Sequence, residues 1–254
     1  MSLATFAKSR AASRYQVTEQ LLLSMSAGAV NAGAYLACQR FVSHVTGTVT
    51  LIGTDLGSWS LVAEYALVLL CFLAGAVTAV FLLALAPPER YPAQSLQLVA
   101  LLVALVAPLG YLGLFGTFGK SVETPGDFVL LSLLSFAMGL LNGTVAGSSA
   151  IGTRITHLTG HATELGMNLA RACLSRGRDS THALSNVALL SGKILSFAVG
   201  AAAMVWMVRW GGYGAFLSAA ALTLLASALG RRAYEYPAHQ PSSAPSWHAE
   251  PSYN

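Results

Sequence analysis

The chain has 254 residues, of which 9% are charged and 55% are apolar, and its formal net charge is +4. Soluble domains carry about 25% charged residues, so this composition excludes a soluble globular protein. It predicts an all-α integral membrane protein that contacts the lipid bilayer. Most basic residues lie outside the apolar segments. The positive net charge is therefore interpreted as a signal for orientation in the membrane, and no nucleic acid partner is predicted.

The first segments in chain order are a polar end, a crossing helix and a short element. Residues 1–16 are polar and basic, with no acidic residue. The apolar run over about 21–38 is longer than the apolar core of a signal peptide, about 7–15 residues, so it is predicted to be an uncleaved helix. Residues 41–53 are too short to cross, since crossing needs about 20 apolar residues. A half-helix or re-entrant segment is predicted there.

Apolar runs further along the chain predict five more spans. Pro108 is predicted to kink the third span, and the tail over 237–254, rich in Pro, Ser and His, is predicted to be disordered. Residues 154–185 hold a second short segment followed by a basic stretch, and they precede the fifth span. The six predicted spans cover about residues 21–38, 60–86, 96–115, 128–150, 186–208 and 213–229.

One motif occurs twice in the chain. Residues 43–53 (SHVTGTVTLIG) and 156–166 (THLTGHATELG) share a His, a Thr-Gly pair, a second Thr and a final Gly at constant spacing. A Gly-x-x-Asn element precedes each copy, at 28–31 and at 139–142. This order predicts an internal duplication, with membrane repeat 1 over 17–117 and membrane repeat 2 over 128–230.

Six spans divide into two repeats of three helices, and an odd number per repeat inverts the second copy, as in many secondary transporters. With the N-terminus in the cytoplasm, ten Lys and Arg residues fall inside and three outside, which satisfies the positive-inside rule. If both motif segments cross, the spans number eight, the copies are parallel and the split is nine to four. The lengths favour six, with both termini cytoplasmic.

Small residues recur at four-residue spacing within the spans, which lets helix backbones approach each other closely in lipid. Packing alone is the interpretation of these stripes. Their members are Gly139, Gly143 and Gly147, then Cys71, Gly75 and Ala79, then Gly192, Ser196 and Gly200.

Polar residues at matched positions of the two halves are the candidate substrate-binding residues. An Asn in hydrocarbon either bridges helices or binds a substrate, and a His at membrane depth usually faces a cavity or a partner. A His that only fixes a re-entrant turn is the alternative. No catalytic residue is predicted. The candidates are Asn31, His44, Thr46, Gly47, Asn142, His157, Thr159 and Gly160. We expect His44 and His157 to lie within about 10 Å of each other near the middle of the membrane.

Two charged residues, Glu64 and Lys193, lie within apolar runs and are candidates for function by default. With six spans they lie about 14 Å apart along the membrane normal, and with eight about 4 Å, at about 1.5 Å per residue. A direct salt bridge between them would therefore favour eight spans.

A metal site is only weakly indicated. His157, His161 and Glu164 share one helical face, but Thr48 and Leu51 occupy the matching places of the first repeat. A solvated helical face explains the spacing, so no metal and no other cofactor is predicted.

The paired motifs resemble those of the YoaK-like family of small, mostly bacterial membrane proteins. The resemblance covers about residues 20–230 and is carried by Gly28-x-x-Asn31, Tyr35-Leu36, the 41–53 motif, Met138-Gly139-x-x-Asn142 and Thr156-x-x-Thr159-Gly160. It implies a multi-pass protein of the bacterial inner membrane and no established substrate.

The favoured function is a small transporter or permease for an unidentified small molecule or ion, with a pseudo-symmetric central polar site. One alternative is a membrane enzyme or accessory protein that uses the His pair. Another is a structural module that binds a partner protein. The substrate, the coupling ion and assembly into a homo-oligomer stay open.

Overall fold

The computed structural model describes residues 3–85, 91–120, 124–148 and 158–235, and in this described part the regular secondary structure is helical, with no strand. A short 3-10 helix, Gly212–Ala215, joins the last two α-helices. The α-helices are α1 Leu3–Cys38, α2 Val45–Thr54, α3 Trp59–Leu85, α4 Ala93–Tyr111, α5 Pro125–Gly147, α6 Leu158–Leu174, α7 Arg178–Gly211 and α8 Phe216–Glu235. The all-α prediction is confirmed. The predicted disorder of 237–254 falls outside the described residues.

Five segments of the described chain are long and apolar enough to cross a membrane, by length and composition. The last has 56 residues and contains both α7 and α8. Neither α2, with 10 residues, nor α6, with 17, is among the five. The segments are Arg14–Cys38, Trp59–Leu85, Ala93–Tyr111, Pro125–Gly147 and Asp179–Tyr234. They are compatible with a multi-pass membrane protein.

Some helix ends differ from the hydropathy prediction for local chemical reasons. α5 begins at Pro125, ahead of its apolar run, because Thr124 and Asp127 form a reciprocal capping box and proline favours the first helical position. α7 begins at Arg178, well before the predicted start of the fifth span. Its polar first turns pack on α6, where Ser180 donates a hydrogen bond to the carbonyl oxygen of Ala172 at 3.1 Å.

Pro108 lies near the end of its helix, and the predicted kink there stays a prediction. α4 continues through Pro108 to Tyr111, so the proline belongs to the last turn. There it removes one hydrogen bond close to a helix end that already leaves backbone groups without helical partners.

Glycines form a backbone contact between α1 and α7. A Cβ atom on Gly28 would lie 2.1 Å from the carbonyl oxygen of Phe197, and one on Gly200 would lie 1.9 Å from that of Met25. No side chain larger than hydrogen fits at such distances. The two helices therefore touch backbone to backbone, as small residues allow in membranes.

The same kind of contact joins α3 and α5. A Cβ atom on Gly139 would lie 1.9 Å from the carbonyl oxygen of Phe72, and one on Gly75 would lie 2.1 Å from that of Phe136. Gly143, the next glycine of the predicted stripe on α5, faces the backbone of α3 as well. The packing interpretation of these stripes is confirmed.

Contacts along α1 give the directions of its neighbours. Leu21, Gly28 and Gly33 meet Gly192, Phe197 and Met204 in rising order, so α1 and α7 run parallel.

α8 meets α1 in the opposite order. Glu19 contacts Gly230, whereas Ser26, further along α1, donates a hydrogen bond to the carbonyl oxygen of Ala219 at 2.8 Å. α8 therefore runs antiparallel to α1 and to α7, so the 56-residue segment holds two oppositely directed helices.

The remaining long helices alternate in direction. α4 is antiparallel to α8, because Tyr91 meets Gly230 while Gly110 meets Tyr213. Leu114, just after the end of α4, contacts Gly126 at the start of α5, so α5 runs antiparallel to α4.

α3 runs parallel to α5, because Gly143 faces Ala79 and Gly147 faces Leu83. Along the chain, α1, α3, α4, α5, α7 and α8 thus point alternately in opposite directions.

Candidate functional site

The segment between α1 and α2 folds back along α1. Asn31 lies about two turns before the end of α1. Its Oδ1 accepts hydrogen bonds from the backbone N–H groups of Val42 and Ser43, at 3.1 and 3.3 Å, and from Ser43 Oγ at 3.2 Å. This amide side chain fixes the returning backbone.

His44 immediately precedes α2 and closes its first turn. The backbone N–H and Oγ1 of Thr48 donate hydrogen bonds to the His44 carbonyl oxygen at 2.9 and 3.0 Å. The imidazole ring folds over Gly47, where a Cβ atom would lie 3.0 Å from Nδ1. The glycine of the first Thr-Gly pair therefore leaves the space that the ring fills, and it contacts the ring instead of lining the central cavity.

A cavity of about 590 Å³ lies between the two halves of the chain. Phe72 and Phe197, whose carbonyl oxygens receive the glycine contacts, line it and place it at the depth of both helix crossings. Five of the candidate residues also line it, namely Asn31, His44, Thr46, Asn142 and Thr159.

Two of the described candidate residues are not part of this lining. Gly47 lies beneath the His44 ring, and Gly160 follows Thr159 in α6 without lining the cavity. His157 lies outside the described residues, so the expected proximity of His44 and His157 stays a prediction.

Two helix beginnings face the cavity. Val45 and Thr46 open α2, Leu158 and Thr159 open α6, and all four line the cavity. The first N–H groups of a helix have no partner within it and carry partial positive charge. Asn142 also lines the cavity, and its Nδ2 donates to the carbonyl oxygen of Met138 at 2.7 Å. Among the described residues, the lining contains neither a carboxylate nor a Lys or Arg.

A second cavity, of about 450 Å³, adjoins the first. Phe41 and His44 line both cavities, so their side chains form the partition between them. The two rings meet edge to face at a centroid distance of 5.8 Å, and Phe41 also stacks on Tyr35 at 4.7 Å.

An ion pair lies beside the second cavity. Arg40 Nε donates to Glu64 Oε1, and the guanidinium also lies over the ring of Tyr65, 5.4 Å from its centroid. Glu64 is only 4% exposed. Its partner is therefore Arg40 and not Lys193, the pairing that would have favoured eight spans.

Lys193 is fully buried, one turn from Phe197 on the same face of α7. Glu164 on α6 acts on it electrostatically. Further along this helix pair, Asn186 donates a hydrogen bond to Asn168 Oδ1 at 3.4 Å. The interface between α6 and α7 is thus polar, starting near the central cavity.

The weak metal candidates do not form a cluster in the described part of the chain, where no group of three metal-ligating side chains is found. His161 is buried while Glu164 is exposed, so these two side chains differ in environment, and His157 lies outside the described residues.

Arg40 and Phe41 are residues of the site that sequence reasoning did not predict. Arg40 follows the apolar run and looks like an ordinary charge in a connecting segment, and its partner Glu64 is 24 residues away. A short polar connection between two apolar elements is the one available signal, and it does not indicate which side chains turn inward.

Comparison with known proteins gives a family and no individual relative. No curated protein and no solved structure matches the chain. Residues 20–229 match the pattern of DUF1275, described as a protein of unknown function, and the YoaK-like proteins are part of that family. The resemblance seen in the paired motifs is therefore confirmed. The match covers every candidate residue and most of each described span, from within α1 to the last turns of α8, so the chain belongs to the DUF1275 family.

Proposed function

We propose that the chain is a small secondary transporter or permease and that the 590 Å³ cavity is its substrate site. The observation that supports this most is that matched elements of both halves of the chain supply the residues that line the cavity. Both Gly-x-x-Asn elements and the beginnings of both short helices contribute to one space. Transporter sites typically lie near the bilayer midplane between repeats, with half-helix ends directed at the substrate.

Two inverted repeats of three crossing helices are part of the proposal. The contact of Gly28 with Phe197 has a counterpart in that of Gly139 with Phe72, and both glycines begin a Gly-x-x-Asn element. The contact of Gly200 with Met25 likewise has a counterpart in Gly75 with Phe136. If α1 is matched with α5 and α3 with α7, each glycine contact in one half corresponds to a contact in the other half.

The neighbours of each helix follow the same correspondence. α1 packs on α8 as α5 packs on α4, and α2 packs on α3 as α6 packs on α7. Since α5 runs antiparallel to α4, and the long helices alternate in direction, the second set of three is inverted relative to the first. This supports six crossings.

We further propose that both termini face the cytoplasm in the bacterial inner membrane. The majority of Lys and Arg residues then lie on the cytoplasmic side. In this orientation the cavity beside Arg40 and Glu64 is on the outer side of the central one. Phe41 and His44 would act as the outer gate, opening toward the periplasm while the inner side is closed.

The topology is tested at position 90, which lies outside the described residues. With six crossings, a cysteine placed there in a cysteine-free background faces the cytoplasm, so a membrane-impermeant thiol reagent added to intact spheroplasts should leave it unlabelled. The same reagent should label it in inside-out vesicles. A cysteine at exposed Trp210, at the outer end of α7, is the control with the opposite expected pattern. Labelling of position 90 from the periplasmic side would contradict six crossings.

Transport itself is tested by comparing metabolites between cells with and without the gene and then measuring uptake of the altered solutes into proteoliposomes. Thr159→Val should lower uptake about tenfold, because it removes a hydroxyl from the cavity wall, and tenfold corresponds to about 1.4 kcal/mol. Thr163→Val is the matched control, one turn further on α6, where the hydroxyl is exposed and bonds to the Thr159 carbonyl oxygen.

Equal uptake by both threonine variants and the unaltered protein would remove the cavity from the transport path. Failure of every altered solute to accumulate in loaded proteoliposomes would contradict transport as the function.

A further inference from the structure

We propose that the groove between α4 and α8, at the end where α8 finishes, binds the headgroup of an anionic phospholipid. The groove holds about 310 Å³ and lies away from the central cavity. Arg231 and Arg232 form one side, and Gln97 and Ser227 supply further polar groups. This site is independent of the proposed transport function.

The polar groups of the groove suit a phosphate. Guanidinium groups donate paired hydrogen bonds in a geometry that matches phosphate oxygens, and an amide and a hydroxyl add donors of lower charge. No carboxylate belongs to the lining among the described residues. Glu19 on the adjacent helix α1 accepts the hydrogen bond of the Tyr91 hydroxyl instead, so its carboxylate is engaged outside the groove.

The depth of the groove indicates a lipid and not a free anion. The hydrogen bonds of Ser26 with Ala219 and Thr223 lie next to the crossing of α1 and α7. Arg231 is about ten residues further along α8, or about 15 Å at 1.5 Å per residue. Half of a hydrocarbon core of about 30 Å is the same distance, so the guanidinium groups lie at the boundary where headgroups are found.

The rest of the lining continues the groove in the direction of the hydrocarbon. Leu224 is 49% exposed, and Ala228 is exposed between it and the two arginines. A free phosphate ion would gain nothing from these apolar side chains, whereas an acyl chain would cover them. Basic pockets between helices on the cytoplasmic side commonly bind anionic headgroups.

The end of α8 has packing contacts that do not involve the arginine pair. Tyr91 and Glu19 both approach Gly230 closely, so they already hold the end of α8 in place. The two guanidinium groups are therefore available to a ligand from the membrane.

Native mass spectrometry of the detergent-purified chain would test this site, with phosphatidylglycerol, phosphatidylcholine and inorganic phosphate added in separate samples. The unaltered chain should retain phosphatidylglycerol at least about tenfold better than phosphatidylcholine. The double variant R231Q/R232Q should lose that preference. R231K/R232K should keep part of it, because lysine keeps the positive charge but lacks the paired hydrogen-bond donors of the guanidinium group. Arg209→Gln is the control. Arg209 is exposed, lies over the ring of Trp206 and belongs to the last turn of α7, away from the groove.

Three results would overturn the proposal. One is undiminished retention of phosphatidylglycerol by R231Q/R232Q, and another is an equal loss in Arg209→Gln. The third is displacement of the lipid by millimolar inorganic phosphate, which would make the groove a site for the free anion. If the double variant melts earlier than the unaltered chain, Gln97→Leu, at an exposed position, replaces it and should lower retention on its own.

Discussion

Alanine in place of Gly139 or Gly200 should destabilise the chain by about 3 kcal/mol or more, the largest effect expected of any single methyl group here. Each new Cβ atom would lie 1.9 Å from a backbone carbonyl oxygen of the partner helix. A carbonyl within a helix cannot rotate away as a side chain can, so the helices must separate along the whole contact. Overpacking usually costs about 1–3 kcal/mol, and loss of the neighbouring contacts adds to it.

Gly53 and Gly166 provide matched controls, since a Cβ atom at either position would have no neighbouring atom within 4 Å. Both lie in helices, α2 and α6. Alanine there should stabilise by roughly 0.5–1 kcal/mol, because it removes the conformational freedom of glycine in the unfolded state. Thermal melting followed by size-exclusion chromatography in detergent measures both sets. Equal melting temperatures for Gly139→Ala and Gly166→Ala would contradict backbone contact between α3 and α5.

Removal of one partner of the Arg40–Glu64 pair should be nearly as damaging. Glu64→Leu leaves a cation against a buried apolar wall, and loss of one partner of a buried ion pair costs about 3–5 kcal/mol. Because the Arg40 side chain is 23% exposed, the lower end of that range is expected. The double change Arg40→Leu with Glu64→Leu should recover much of the loss, since neither charge is then left alone.

A double-mutant cycle measured by thermal melting distinguishes this coupling from a simple packing effect. Asp179→Leu, at an exposed acid in the first turn of α7, is the control and should stay within about 0.5 kcal/mol of the unaltered chain. If the Arg40 and Glu64 effects merely add, the pair does not hold the segment between α1 and α2 in place.

Hydropathy and small-residue patterns were enough to predict the helical fold, because lipid requires each crossing segment to satisfy its own backbone. The stripe of Gly139, Gly143 and Gly147 was interpretable as packing for the same reason. The pairing of that stripe with Gly75 of α3 was not predictable, since spacing within one helix does not identify the partner helix.

The residues of the candidate site were predictable only where they recur in both halves of the chain. Asn31, Asn142, His44 and Thr159 were selected because they recur, and they line one cavity. Phe41 does not recur in this way and was missed as the partition between two cavities.

The early start of α7 was also missed. Its first turns are polar and lack the apolar run that marks a crossing helix. Their packing on α6 decides the helical state, and that contact is invisible to a hydropathy pattern.

The order in which the helices are synthesised gives the packing of α1 a further consequence. Its two main neighbours, α7 and α8, are the last two α-helices of the described residues, and α8 ends about 200 residues after α1. At roughly 5–20 residues per second the first helix waits about 10–40 s for them. Throughout that time Glu19, Ser24 and Ser26, all buried in the finished chain, lack their final surroundings. The insertion machinery must therefore shelter α1 until α7 and α8 have been made.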